Sequence, residues 1–284
     1  NNAQALALRG YALGLMGEDE GLGGDISGFR KGAEAYLKAA QFHGDQGVLA
    51  LLGAANCYLF LQRYKESLDC VERLFKEYPN LDEGIAIEAE WIKVKCYIGL
   101  NYSREDVISQ CQKIIEKHPN TRTAAASYLQ IMELRLRGGD EAQAAKELEE
   151  IIKRYKKDYP NIVSMALSRW GTFFFAAGDY EKAIKYYGRV VEEVPQYGDL
   201  ALIRVGECYR MLRQYGKAVE AFQQVLERYP HSKKCARALL LLGQTFYQMG
   251  KKEEAVKVFQ EIIEHHPDSP EVEQAKNWIE FCKG

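Results

Sequence analysis

One spacing pattern recurs along this chain and restricts it to a single kind of architecture. Leu242-Gly243 is followed by Phe246, Ala255, Phe259, Ile262 and Pro267, at +3, +12, +16, +19 and +24 from the glycine. Val205-Gly206 is followed at the same offsets by Tyr209, Ala218, Phe222, Val225 and Pro230, and Trp170-Gly171 by Phe174, Ala183, Tyr187, Val190 and Pro195. Weaker copies lie upstream. Ala55 stands in the glycine slot before Tyr58, Ser67, Val71, Leu74 and Pro79; Lys95 before Ile98, Val107, Cys111, Ile114 and Pro119; Met132 before Ala144, Leu148 and Ile151, with its proline delayed to Pro160. A period of this length marks a stack of like units, none of which buries its apolar face alone.

Each slot has a physical reason. The apolar residues recur at three- and four-residue steps, so each half-unit is a helix with one apolar stripe. A small residue in the first helix and an alanine twelve residues on allow two antiparallel helices to approach within about 8–10 Å. Gly139-Asp140, Gly178-Asp179 and Gly250 supply turns between the helices. The proline ends the second helix, because its ring cannot continue one. Lys95 and Met132 are large for the small slot, so their hairpins are expected to splay or to present an unusual face.

The flanks read as modified units. Residues 3–16 and 29–42 form two helical patterns, with Gly10 in the small slot of the first and Ala33, Leu37 and Ala40 as the stripe of the second. The glycine- and acid-rich segment 17–25 between them reads as a long loop. It lacks both the GxxxxGK[ST] phosphate motif and the calcium-loop spacing. At the other end Asp268, Ser269 and Pro270 signal a helix start, and Val272, Ala275 and Ile279 form a stripe beside Trp278, as a capping helix requires. The chain thus divides into a degenerate N-terminal hairpin (1–47), six repeats (48–267) and a cap (268–284). It is an all-α, right-handed solenoid of about seven hairpins plus the capping helix.

Thirty-eight basic against 40 acidic residues leave no electrostatic footprint for nucleic acid. No apolar run approaches the roughly 18 residues of a membrane helix. The seven cysteines form no CxxC pair and read as small apolar residues on packed faces. The five histidines make no HExxH or other ligand spacing, and Gly-x-Ser-x-Gly is absent. His118 and His266 occupy the pre-proline slot filled elsewhere by Tyr78 and Tyr229, which favours packing over ligation. With no convergent nucleophile, base or metal set, the chain reads as non-catalytic, without cofactor or metal.

The slot pattern resembles the tetratricopeptide repeat family, strongly over 164–266 and more loosely over 48–159, with units longer than the family's 34 residues. The unit junctions, Tyr229-Pro230-His231-Ser232 and His266-Pro267-Asp268-Ser269, are similar to those of bacterial cell-envelope members, such as the Tol–Pal accessory protein and the lipoprotein of the barrel assembly machine. The resemblance implies a scaffold that holds protein or peptide partners in a concave groove. That groove is lined by first helices at three residues before, one after and four after the small slot. Carried over, the last two positions are Asn56 and Leu59, Cys96 and Gly99, Glu133 and Leu136, Thr172 and Phe175, Glu207 and Arg210, and Gln244 and Tyr247. The first are Leu52, Ile92, Leu129, Ser168, Ile203 and Leu240. The back half mixes charge with aromatics, the usual anchors of an interface, and is the expected peptide site. The lysine–asparagine clamp for a C-terminal carboxylate in some members is not reproduced; only Asn56 matches one of its slots. Two other readings stay open: a self-associating spacer, and the regulatory segment of a larger protein with its catalytic domain elsewhere. The resemblance implies a periplasmic or envelope address, with the cytoplasm as the alternative.

Overall fold

Helix follows helix at intervals set by the turn signals. The computed structural model describes residues 27–41 and 44–283; the expected helix over 3–16 and the loop 17–25 lie outside them. In chain order the helices are α1 (Ser27–Ala39), α2 (Asp45–Phe60), α3 (Tyr64–Glu77), α4 (Glu83–Gly99), α5 (Arg104–Lys117), α6 (Arg122–Arg137) and α7 (Glu141–Tyr155). They continue with α8 (Pro160–Ala176), α9 (Tyr180–Glu193), a 3-10 turn Pro195–Tyr197, α10 (Gly198–Met211), α11 (Tyr215–Arg228), α12 (Cys235–Gln248), α13 (Lys252–His265) and α14 (Glu271–Lys283). No strand occurs among the described residues. The contacts group these helices into two compact units, one ending at Ala144 and the other running from Ala145 to the C-terminus.

In the first unit α1 to α6 pack in succession, and the first helices α2, α4 and α6 also touch in sequence. In the second unit α8 to α14 pack in succession, and α10, α12 and α14 touch likewise. First helices of neighbouring hairpins therefore line up as a wall in each unit.

The contact that closes a hairpin is the small slot against the residue sixteen positions on. A Cβ built on Gly171 would lie 2.6 Å from the Tyr187 ring; on Gly206, 2.5 Å from Phe222; on Gly243, 2.5 Å from Phe259. Phe222 and Phe259 are fully buried, and truncating either to alanine removes about 3–5 kcal/mol. In the first unit Ala55 faces a smaller set: its carbonyl accepts a hydrogen bond from Ser67 Oγ at 2.7 Å, and Val71 joins the same cluster. Gly53 and Gly99 are likewise capped by aromatic rings, from Tyr36 and Tyr64.

The first helices of the repeats also end in the same way. The seventh residue after the small slot is left-handed: Gln62, Asn101, Gly139, Gly178, Arg213 and Gly250, with φ of 56 to 79°. The next residue's N–H reaches back five positions, as from Asp179 to Phe174 O and from Gln214 to Tyr209 O. This closure satisfies carbonyls that the helix end would otherwise orphan. Five second helices stop at a pre-proline residue with φ near −131 to −141°: Tyr78, His118, Val194, Tyr229 and His266. Tyr159, before Pro160, adopts the same conformation. The proline ring pushes its predecessor out of the α region.

The closure corrects one register. Asn101 is left-handed, and Tyr102 N–H donates to Tyr97 O at 2.9 Å, which places the small slot of α4 at Val94 rather than Lys95. Val94 is fully buried while Lys95 faces solvent. One extra residue lies before α5: Tyr102 makes the closing bond and Ser103 caps the helix, where Asp179 does both before α9, and the Tyr102 ring stacks on Tyr97 with centroids 4.2 Å apart. Val94 shares its cluster with Val107, Cys111 and Ile114, so a modest side chain in the slot meets a thiol instead of a ring. Met132 does occupy its slot and is fully buried.

In α14, Ala275, Ile279 and Cys282 are buried, and Trp278 stacks on Phe259. This helix covers the apolar face of the preceding hairpin.

Gly171 and Gly188 separate packing from propensity. A Cβ added to Gly188 would meet nothing within 4 Å. Gly188→Ala is therefore predicted to stabilise by up to about 1 kcal/mol through helix propensity. Gly171→Ala forces the Tyr187 ring aside and is predicted to cost about 1–3 kcal/mol. Thermal unfolding of the two variants gives shifts of opposite sign; equal shifts would contradict the ring-on-glycine contact.

Candidate functional site

The first-helix wall of the second unit carries an open depression of about 300 Å3, lined by Phe175, Arg204, Glu207, Arg210, Met211 and Gln248. Helix periodicity assembles it. On α10, Arg204, Glu207 and Arg210 follow at three-residue steps and Met211 stands four residues after Glu207, so all four border one face. Phe175 comes from the last turn of α8 and Gln248 from the last turn of α12. The three helices thus present their C-terminal ends together.

Its electrostatics are uneven. The Glu207 carboxylate accepts from Arg204 Nη1 at 2.7 Å and from Arg237 Nη2 at 3.2 Å. Arg210 donates to two neutral amide oxygens, Gln244 Oε1 at 3.2 Å and Gln248 Oε1 at 3.4 Å. Burial lowers the Arg210 pKa from its ordinary value, against the opposing pull of Glu207; a guanidinium still keeps its charge at neutral pH. Phe175 meets the Tyr180 ring edge-on at 5.3 Å, and Met211 is 54% exposed.

Of the sequence-predicted residues, the structure gathers Phe175, Glu207 and Arg210 in this depression, with Gln244 bound to Arg210 at its edge. Thr172 is engaged with the Tyr187 hydroxyl at 3.1 Å, behind the small slot. Tyr247 sits in an aromatic group with Trp278 and Phe281. In the first unit Asn56 donates to Glu88 Oε1 at 2.7 Å, Leu59 packs against the core cluster, Glu133 is half-buried, and Leu136 is buried. The register correction removes Cys96, which is buried, and Gly99, which is covered by Tyr64, from the lining positions. Lys95 and Ile98 take their places, both exposed. Of the residues three before the small slot, Leu52, Leu129, Ile203 and Leu240 are core; the register correction puts half-buried Trp91 in that position in place of Ile92, which is also core.

Arg204, Met211 and Gln248 were missed. Met211 and Gln248 stand five residues after their small slots, one helical turn beyond the +1 position, so the helical period alone places them on the same face. Arg204 stands one turn before Glu207.

No group of three or more His, Cys, Asp or Glu side chains among the described residues is placed to hold a metal. His118 is a packed residue, its Nδ1 3.0 Å from Glu83 and its Nε2 3.7 Å from Glu90. No helix is long and apolar enough to cross a membrane among the described residues.

These helix pairs, joined by one kind of turn and closed by one kind of contact, define a helical-repeat protein. The tetratricopeptide repeat model matches residues 163–230 and 199–268, and a second tetratricopeptide repeat model matches 49–81 and 126–158. The chain belongs to the tetratricopeptide repeat family. The matches leave out 82–125, the hairpin whose turn holds the extra residue. Among solved structures, a tetratricopeptide repeat protein from Parabacteroides merdae is similar over 100% of this chain and 99% of its own, at 12% identity and TM-score 0.53. The apo form of RapI is similar over 98% of this chain and 80% of its own, at 12% identity and TM-score 0.59. The STAND signal-transduction ATPase with a tetratricopeptide repeat sensor from Pyrococcus horikoshii is similar over 90% of this chain and 42% of its own, at 18% identity and TM-score 0.56. At these identities the likeness is one of fold. Among curated proteins, none matches this sequence.

The thiols give a check on this packing. All seven cysteines are buried. Burial pushes the Cys111 and Cys208 thiols up to about 12 and Cys70 up to about 11. An acid whose folded pKa is raised adds no penalty below the unfolded thiol range, near pH 8.5, and loses stability as pH rises from there towards the folded value. Alkylation of the native chain at pH 8 is expected to leave Cys111 and Cys208 unmodified, with full labelling only in denaturant. Rapid native labelling of either would show that its helix does not pack as described.

Proposed function

We propose that this chain is a non-catalytic scaffold that holds a polypeptide partner on the first-helix wall of its second unit. Tetratricopeptide repeat proteins are in general protein-interaction scaffolds, and the coarser role follows from membership. The observation that supports this wall as the docking surface is the gathering of Phe175, Arg204, Glu207, Arg210, Met211 and Gln248 around one open depression. Aromatic, arginine and methionine side chains of this kind are enriched in protein interfaces. Asn56, Leu59, Glu133 and Leu136 belong to the corresponding wall of the first unit. There Leu136 supports the wall from within, and Lys95 and Ile98 complete its outer face. Thr172, Gln244 and Tyr247 flank the depression in the second. The Tyr229-Pro230 and His266-Pro267 junctions, similar to those of bacterial cell-envelope members, support a place in an envelope assembly.

The test is a peptide library screened against the whole purified chain, followed by anisotropy titration of the selected peptides. Phe175→Ala combined with Met211→Ala is expected to weaken the selected peptides by about tenfold or more, as for residues that anchor an interface. Undiminished binding by that double variant, with unchanged melting, would place the docking surface elsewhere.

A further inference from the structure

In the three complete hairpins of the second unit the first helices differ in charge from the second helices. α8, α10 and α12 carry four arginines, Arg169, Arg204, Arg210 and Arg237, against two carboxylates, Asp199 and Glu207. The second helices α9, α11 and α13 carry nine carboxylates against seven lysines and arginines. Around the depression the first helices are therefore the basic side of these three hairpins.

Both wall carboxylates are already engaged. Asp199 accepts from Ser232 Oγ at 2.6 Å and lies 3.7 Å from Lys234 Nζ. Glu207 is shared between Arg204 and Arg237. Arg210 is the exception. It is half-buried, and its acceptors are the two glutamine amides; among the described residues no carboxylate lies within ion-pair distance of it. A partly desolvated cation held by neutral acceptors gains more from an anion than an exposed lysine does, because less water has to be displaced. A guanidinium offers five N–H donors in a fork that matches a carboxylate. Phe175 and the exposed Met211 lie in the same depression and offer apolar contact beside that charge.

Resting on the docking surface proposed above, we propose that Arg210 anchors an Asp or Glu side chain of an acidic partner segment, whose neighbouring apolar residue lies against Phe175 and Met211. On binding, the carboxylate replaces the Gln244 and Gln248 amide oxygens as the acceptor for Arg210. Glu207, held by its two arginines, keeps the approach selective by repelling an anion placed one turn away.

The test uses the full chain and two fluorescein-labelled decapeptide pools. Each has a central Glu or a central Gln flanked by leucine or phenylalanine, and the pools are otherwise equally degenerate. The Glu pool is expected to bind about tenfold more tightly, in line with a charge-assisted hydrogen-bond pair. The difference should shrink with added salt, vanish in Arg210→Gln and persist in part in Arg210→Lys, with all variants melting like the parent. Equal binding of the two pools, or a Glu preference that survives Arg210→Gln, would overturn the assignment. If peptides bind and are weakened by Phe175→Ala with Met211→Ala, yet show no preference for Glu, this inference fails while the docking surface stands. If neither pool binds, both fail.

Discussion

The fold depends on one short-range steric agreement repeated along the chain: an aromatic ring of the second helix lies over a residue of the first helix that has no side chain to obstruct it. At Gly171, Gly206 and Gly243 the ring of Tyr187, Phe222 or Phe259 approaches to where a Cβ would stand. The ring is buried against backbone, and the helices come closer than two ordinary side chains would permit. Elsewhere smaller partners meet larger slots, as with Ala55 beside Val71 and Val94 beside Cys111. Close packing leaves little latitude on either side of such a contact.

The turn between the helices is the second constraint, and it explains how the repeats stay in register. A left-handed residue seven positions after the small slot ends each first helix. Glycine fills it in three hairpins, while Gln62, Asn101 and Arg213 accept the conformation without glycine's freedom. Because closure is the same everywhere, an extra residue is taken up between the turn and the second helix. Ser103 is such a residue, capping α5 after Tyr102 has closed the turn, and stacking on Tyr97 gives the Tyr102 ring an apolar place.

Regular stacking has a consequence for function. Placing first helices side by side brings side chains from α8, α10 and α12 to one surface, although they lie roughly a repeat length apart in sequence. Glu207 pairs with Arg237 of the next hairpin, and Arg210 meets Gln244 and Gln248 there. Stacking thereby builds one surface from residues that no single hairpin holds.

The sequence by itself determined the hairpins, the small-slot contacts and the capping helix, because these depend on offsets of about sixteen residues or fewer, set by helical period and turn length. Helical period alone puts the +1 and +4 residues of the strong units on one face of each first helix; of these, Phe175, Glu207 and Arg210 meet in one depression, while Thr172 bonds Tyr187 and Tyr247 joins Trp278. What only the tertiary structure decided lies at longer range or hinges on one residue. The Val94 register was hidden because Lys95 keeps the right offset to Val107 and Cys111, and the sequence carries no sign that Tyr102 belongs to the turn. The buried state of Leu136, and the pairing that occupies Glu207 but leaves Arg210 on neutral amides, depend on neighbours in space. An ion pair between adjacent hairpins is set by the stacking distance and rotation, and these emerge only when the units pack.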